Sequence, residues 1–285
     1  MYPLITLDKK DHPRGLRELP DPPKSLTLRG NLPPPDIKLL TVVGSRRYTN
    51  YGAQVVEHLL SGLAGSPIGI VSGLALGIDS LAHELALRFG MYTLAIPGSG
   101  IDDKVIYPRR HRGLAKRIMD NGGGLLSEFE PDFKATPWSF LQRNRLMAGI
   151  SEATLLIEAS QRSGTMSTAR LTVEYDRELL VVPGNIFSPQ SAGGHLFLKL
   201  GAVPITEPMD ILNALNIQKQ DADTQKYSGL SAEEETLLKL LKEPKERDII
   251  IQQSGLSAMN VNIILSELEI KGLVSQIGGQ YRSLY

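Results

Sequence analysis

From Lys38 onward, short apolar runs alternate with amphipathic stretches. The runs are Leu39–Val43, Ile68–Val71, Met91–Ile96, Gly124–Leu126, Thr154–Ile157, Glu178–Val182 and Ala202–Ile205. They lack the polar alternation of a half-exposed strand, so the pattern predicts strands buried on both faces. Helical periodicity lies between them, over Tyr51–Leu63, Asp79–Phe89 and Trp138–Ile150. Strand–helix alternation sustained over about 175 residues predicts an α/β domain with a doubly wound, mainly parallel sheet.

The two ends read differently. Residues 1–35 hold eight of the 18 prolines, so an extended, Pro-rich leader is expected there, with at most short strands. Within it, Ser25–Leu28 is able to pair at a sheet edge. The core domain spans 36–215, and the polar stretch 216–228 reads as a linker. Beyond it, Ser231 and Glu234 form a capping box for a helix to Leu241. Helices over Asp248–Ser254 and Ser257–Lys271 follow, then a hairpin over Val274–Ile277 and Gln280–Ser283 around Gly278-Gly279. Three helices and a two-stranded wing make residues 229–285 a small winged-helix domain.

Composition narrows the function. The chain has 285 residues and no cysteine, which excludes disulfides, thiolate metal sites and cysteine nucleophiles. Its five histidines show no metal-ligand spacing, so no metal or cofactor is expected. No run approaches the roughly 18 apolar residues of a membrane span, and the N-terminus lacks signal-peptide character, so a cytoplasmic address is expected. Thirty-one basic residues balance 31 acidic ones. Phosphate binding must therefore come from placement of a few arginines, helix N-termini and backbone amides rather than from bulk charge.

The strand ends carry the candidate chemistry. In a parallel sheet they share one edge, where ligands of open α/β sheets bind. After the first strand comes Gly44-Ser45-Arg46-Arg47, able to converge on a phosphate. It is neither a dinucleotide fingerprint nor a Walker loop. Gly73 and Gly77 permit a tight loop whose backbone is a further candidate contact; Asp79 reads as a helix cap, with His83 packed against it or paired to it at i, i+4. Tyr107-Pro108-Arg109-Arg110-His111-Arg112 is either a solvated face or a direct contact. On the helix begun by Thr136 and Pro137, Phe140, Arg143 and Asn144 share a face offering a stacking surface beside a cation and an amide. Last, Ser163-Gly164-Thr165 opens a helix carrying Thr168, a predicted anion site with three hydroxyl donors. Glu128 and Glu158 are the well-placed carboxylates, Glu158 reading as an arginine partner. No nucleophile–base–orienter set assembles, so a non-enzyme is expected. Ser257–Lys271 carries two glutamates against one lysine, which suits a protein contact or auxiliary role better than duplex DNA.

In order and spacing these motifs resemble the DNA-processing protein A (DprA/Smf) family. The marks are Gly44-Ser45-Arg46, Gly73-x-Ala75-x-Gly77-Ile78-Asp79 with His83, and Gly98-Ser99-Gly100-Ile101-Asp102 leading to Tyr107-Pro108. Further marks are Ser127-Glu128, Phe140-x-x-Arg143-Asn144-Arg145, Ser163-Gly164-Thr165 and Val182-Pro183-Gly184-Asn185. The resemblance implies an extended Rossmann core that binds and protects single-stranded DNA without catalysis, forms homodimers, and loads the strand with RecA recombinase during natural transformation. Carried over by motif, Ser45, Arg46, Phe140, Arg143, Asn144, Arg145 and the Ser163–Thr165 turn would hold phosphates and bases. With Gly44, Gly73 and Thr168 these form the predicted binding set. Leu141 and Gln142 stand where many members have proline and a basic residue, Met166-Ser167 replaces an apolar pair, and the N-terminal helical domain of many members has no counterpart. The rival reading is a nucleoside-monophosphate phosphoribohydrolase of the lysine-decarboxylase-like group, whose motif glutamate is missing after Gly164-Thr165. A third makes the winged helix a reader of duplex DNA.

Overall fold

The structure, a computed structural model, describes residues 2–217, 230–241, 244–271, 273–277 and 279–283. The predicted linker lies outside the described residues from position 218 onward. The chain divides into two units, residues 1–218 and 219–285.

In the first unit the strands are β1 (Ile5–Leu7), β2 (Leu26–Gly30), β3 (Lys38–Val43), β4 (Ile68–Ser72), β5 (Thr93–Ala95), β6 (Gly124–Ser127), β7 (Ala153–Leu156), β8 (Glu178–Val181) and β9 (Val203–Pro204). They form one sheet in the order β1-β2-β6-β5-β4-β3-β7-β8-β9. From β6 to β9 every pairing is parallel. The chain lays β4, β5 and β6 on one side of β3 and then returns to place β7, β8 and β9 on the other. The order thus reverses between β3 and β7, and that is where an open α/β sheet leaves a crevice at its carboxyl edge.

Both faces of this sheet are covered, which is why the strands read as unbroken apolar runs. On β3, Leu40 and Val42 join one core with α2 (Asn50–Leu63), α3 (Ile78–Arg88) and α8 (Pro208–Ala214). The alternate residues Leu39 and Val43 join the opposite core with α5 (Pro137–Ile150), α6 (Thr165–Glu174) and α7 (Ala192–Lys199). Thr41 is a polar residue inside that second core, and its hydroxyl is satisfied by the Met147 carbonyl and Ser151 Oγ, both at 2.8 Å. The remaining helix, α4 (Arg112–Asp120), packs against β5 and β6.

The Pro-rich leader is more than an extension. It supplies β1 and β2, and β2 pairs antiparallel with β6. Its short helix α1 (Arg14–Arg17) buries Leu16 among the second core's residues. The Arg29 side chain is buried and donates to the Ile101 carbonyl at 2.9 Å and to Asp103 at 2.7 Å. The leader therefore folds as the sheet's antiparallel border.

The second unit is a winged helix. Its elements are α9 (Ala232–Leu240), β10 (Lys245–Glu246), α10 (Arg247–Ser254), α11 (Ala258–Ile270), β11 (Val274–Ile277) and β12 (Gln280–Ser283). The Ser231–Glu234 capping box is present, and Lys271 pairs with Glu234 at 2.6 Å. The wing has three strands rather than the expected two, because Lys245-Glu246 pairs with Tyr281-Gln280. A two-residue strand is too short to show an alternating pattern.

Candidate nucleic-acid interface

At the reversal between β3 and β7, the loops after both strands and one face of α5 enclose an open trough of about 640 Å³. Ten of the twelve predicted residues line it: Gly44, Ser45, Arg46, Phe140, Arg143, Asn144, Ser163, Gly164, Thr165 and Thr168. Gly73 and Arg145 do not.

The loops are locked together from within. Thr165 Oγ1 donates to the Gly44 carbonyl at 2.9 Å, tying the α6 N-terminus to the end of β3. Ser163 Oγ donates to Thr165 Oγ1 at 3.0 Å and accepts from the Thr165 amide at 3.2 Å. Both hydroxyl protons are thus consumed inside the turn, so these two side chains are scaffold rather than the donors their sequence suggested. Ser45 Oγ instead accepts from the Arg47 amide at 3.0 Å, leaving its own proton without an acceptor among the described residues. Gly77, at φ +92°, lets the loop after β4 pass beneath; a Cβ there would lie 2.2 Å from the Ser45 carbonyl oxygen.

The three consecutive polar residues that the motif singles out on α5, Arg143, Asn144 and Arg145, have different fates. Arg143 is buried at 4 % exposure. Its Nη1 donates to the Gly73 carbonyl at 2.7 Å and to the Ile96 carbonyl, and its Nε donates to Asn144 Oδ1 at 3.2 Å. It ties the ends of β4 and β5 to α5. Burial pushes its pKa down to about 10, opposed by Asp79 and reinforced by Arg46. Asn144 Nδ2 donates to Ser167 Oγ at 2.7 Å, bracing α6. Arg145 points away from the trough: it pairs with Glu128 and donates to the Asp21 carbonyl in the leader. Burial raises the Glu128 pKa against the pull of Arg145. A spacing of i, i+1, i+2 on a helix sends three side chains in different directions, which explains the split.

Phe140 and Arg46 are the groups that face outward. The Arg46 guanidinium lies 5.6 Å from the centroid of the half-buried Phe140 ring. Tyr107 flanks the same ring at 5.8 Å. Arg47, Pro137 and the exposed Leu141 complete this wall, with Ser160 and Gln190 opposite. Of these, Arg47 belongs to the motif that the sequence singled out, whereas Leu141, Ser160 and Gln190 are brought in by the fold.

Two carboxylates differ from expectation. Glu158 does not meet an arginine; it accepts from the Thr49 amide at 2.9 Å and Thr49 Oγ1 at 2.6 Å, and so holds the N-terminus of α2. Asp79 does not pair with His83. It accepts from the Gly73 amide at 3.1 Å, and burial raises its pKa. His83 reaches Thr93 Oγ1 at 2.7 Å instead.

The charge balance hides an asymmetry. Arg88, Lys116 and Arg117 on the helices and Arg177 just before β8 pair with carboxylates, while Arg170 and Lys199 on the helices are exposed and take part in no ion pair among the described residues. Arg46, Arg47, Lys104, Arg109, Arg110, Lys134 and Arg162 are exposed and take part in no ion pair among the described residues. All seven lie in loops that follow β3, β5, β6 or β7, at the carboxyl edge. The exposed Glu130 and Asp132 share that edge. Among the described residues, no group of three His, Asp or Glu is placed to hold a metal ion, and no helix is long and apolar enough to cross a membrane.

Comparison with known proteins follows the same division. Residues 3–216 match the family model of DNA recombination-mediator protein A, and residues 221–280 match that of the DprA winged helix domain. The chain is 34 % identical to Protein Smf of Escherichia coli (strain K12), over 98 % of its own length and 76 % of the relative's. Among solved structures it is similar to DNA processing protein A from Streptococcus pneumoniae, with a TM-score of 0.66 at 35 % identity and 74 % of each chain covered. The DNA processing protein A of Helicobacter pylori, described for its single-stranded DNA binding mode, also superposes with a TM-score of 0.66, at 34 % identity, over 75 % of this chain and 95 % of that one.

Proposed function

The chain belongs to the DNA recombination-mediator protein A family, and from that premise we propose that it binds single-stranded DNA in the trough without catalysis, acts as a homodimer in the cytoplasm, and hands the strand to RecA recombinase during natural transformation. The observation that carries this reading is the pairing of the unpartnered Arg46 with the accessible Phe140 ring at the sheet's carboxyl edge. An unpaired strand presents phosphates and free base faces together, and a cation beside an aromatic ring answers both. The crevice sits at a helix N-terminus, which adds a favourable field for an anion.

Non-catalysis is supported by the state of the nearby carboxylates. Glu158 caps α2, Glu128 is paired with Arg145, and Asp79 is buried on the Gly73 amide. A homodimer would join two short troughs and raise the effective concentration of the strand. On α11 the exposed Met259, Asn260, Asn262, Ile263 and Glu267 offer no cation to a phosphate, which favours an auxiliary role for the winged helix.

The test is a gel shift with oligo-dT against duplex of equal length at two salt concentrations. Preferential, salt-sensitive binding of oligo-dT is expected; equal or stronger binding of duplex overturns the reading. RecA filament assembly on coated oligo-dT, with and without the protein, tests the hand-over, and sedimentation tests the dimer. Release of ribose 5-phosphate from a nucleotide panel would favour the phosphoribohydrolase reading instead.

A further inference from the structure

Beside the trough, and outside the predicted binding set, lies a second open depression of about 540 Å³. Lys104 and Arg109, from the connection between β5 and α4, and Arg112, the first residue of α4, line it together with Lys134 from the connection between β6 and α5. Tyr107 stands among them, 53 % exposed.

We propose that this depression is a second subsite for the same strand, gripping the phosphates that run on past Phe140 while Tyr107 stacks a further base. The inference rests on the single-strand reading of the first trough and extends it.

Two features of the geometry carry it. First, the depressions are joined. Tyr107 and Phe140 lie 5.8 Å apart at an interplanar angle of 57°, so one aromatic step leads from the first to the second. Ala135 lines the second depression and Pro137, two residues on, lines the first. Second, the cations are uncompensated. Lys104, Arg109 and Lys134 are exposed and have no ion-pair partner among the described residues. Arg112 donates to the Lys104 carbonyl, which steadies the loop without neutralising it. The neighbouring aspartates are already engaged: Asp102 accepts from the Lys104 amide at 2.8 Å, and Asp103 is held by Arg29, which lowers its pKa. Three exposed, unpaired cations, with Arg112 beside them and partly answered by Asp103, leave the depression net positive, and the phosphates of a nucleic acid supply the opposite charge. A tyrosine face tolerates any base, so the subsite adds length and salt dependence, not sequence preference.

The experiment uses the full chain and two oligo-dT lengths, about 6 and about 20 nucleotides, spanning the range of single-strand site sizes. Binding is followed by fluorescence anisotropy across a salt series for the wild type, the double variant Arg109→Gln/Lys134→Gln, and Tyr107→Leu. Unchanged thermal midpoints confirm that the variants fold. For the long strand, the double variant is expected to lower the slope of log K against log salt by about 1.4, or about 0.7 per lost phosphate contact. Tyr107→Leu is expected to weaken long-strand binding with the slope preserved. Binding of the short strand by the double variant stays at the wild-type level. A wild-type slope for the double variant on the long strand overturns the subsite, and so does an equal loss on both lengths, which would merge the two depressions into one site. Failure of the wild type to bind either strand would instead strike the parent reading, and the subsite with it.

Discussion

The Arg46 guanidinium rests over the Phe140 ring, 5.6 Å from its centroid. Each group occupies the place a strand component would take. A base stacking on Phe140 must displace the cation, and the displaced cation is then free to meet a phosphate. On the proposed reading, binding would exchange one cation–π contact for a stack and a charge-assisted hydrogen bond. Phe140→Leu keeps the apolar body and loses the face. It is expected to weaken oligo-dT binding by about 1–3 kcal/mol, or roughly 5- to 150-fold, with the salt slope kept. Arg46→Gln is expected to lower the slope by about 0.7. Anisotropy titrations at several salt concentrations read both.

Arg143 looks equivalent to Arg46 in sequence and is not. Its hydrogen bonds go to the carbonyls of Gly73 and Ile96 and to Asn144, and it balances the buried Asp79. Removing it leaves that carboxylate and the strand-end carbonyls uncompensated. Arg143→Met is therefore expected to cost about 3–5 kcal/mol of folding stability, whereas Arg46→Gln stays within about 0.5 kcal/mol of the wild type. Denaturant unfolding of the two variants separates them; equal stabilities would refute the scaffold role.

Gly77→Ala probes how the first loop is held. The residue sits at φ +92°, and an added Cβ would come within 2.2 Å of the Ser45 carbonyl oxygen and 2.5 Å of Arg46 Cα. Both atoms are backbone, so the loop itself must move. With ψ at −135° the backbone lies outside the left-handed helical region, in one essentially reserved for glycine, and this strain alone costs about 1–3 kcal/mol. The variant is expected to lose stability of that order and to bind oligo-dT more weakly although no contacting side chain has changed. Retention of full affinity would show that the Ser45–Arg46 backbone need not be fixed.

These contrasts mark how far the sequence reaches. Parallel strands bring their ends to one edge whatever the loops contain, so the location of the trough was legible from the apolar runs and the glycines after them. The helical spacing of Phe140, Arg143 and Asn144 likewise placed all three on its wall. Whether a given polar atom is free was not legible, because that depends on partners distant in sequence. Arg145 meets Asp21 and Glu128, Thr165 meets Gly44, and Glu158 meets Thr49. The leader shows the same limit. Ser25–Leu28 was legible as an edge-pairing segment and falls on β2, but β2 is flanked by β6 and also by β1, a three-residue strand among prolines that carried no signal of its own. The short strand β10 carries no periodicity at all.

His83 supplies a test of the scaffold that is independent of DNA. It is fully buried beneath the Gly73–Gly77 loop, on α3. Thr93 Oγ1 donates its proton to the Ile70 carbonyl at 2.9 Å, so the 2.7 Å contact requires His83 Nδ1 to be the donor. Burial depresses the pKa of His83 from 6.5 to about 3, opposed by the Ser72 backbone and reinforced by His111 and Arg143. The folded state therefore stays neutral while the unfolded chain takes up a proton below pH 6.5. Stability is complete above that pH and is lost as pH falls towards 3, at up to about 1.4 kcal/mol per pH unit. Asp79 and Glu128, whose pKa values are raised by burial, act in the opposite sense, since the folded state gains their protons first. They are common to wild type and variant and cancel in a comparison. His83→Asn keeps a donor near Thr93 and removes the titration. Between pH 7 and pH 5 the wild type is expected to lose about 2 kcal/mol relative to this variant in denaturant unfolding. Parallel stability curves for the two proteins would mean that His83 takes up its proton in the fold as readily as in the unfolded chain, so that burial does not hold it neutral.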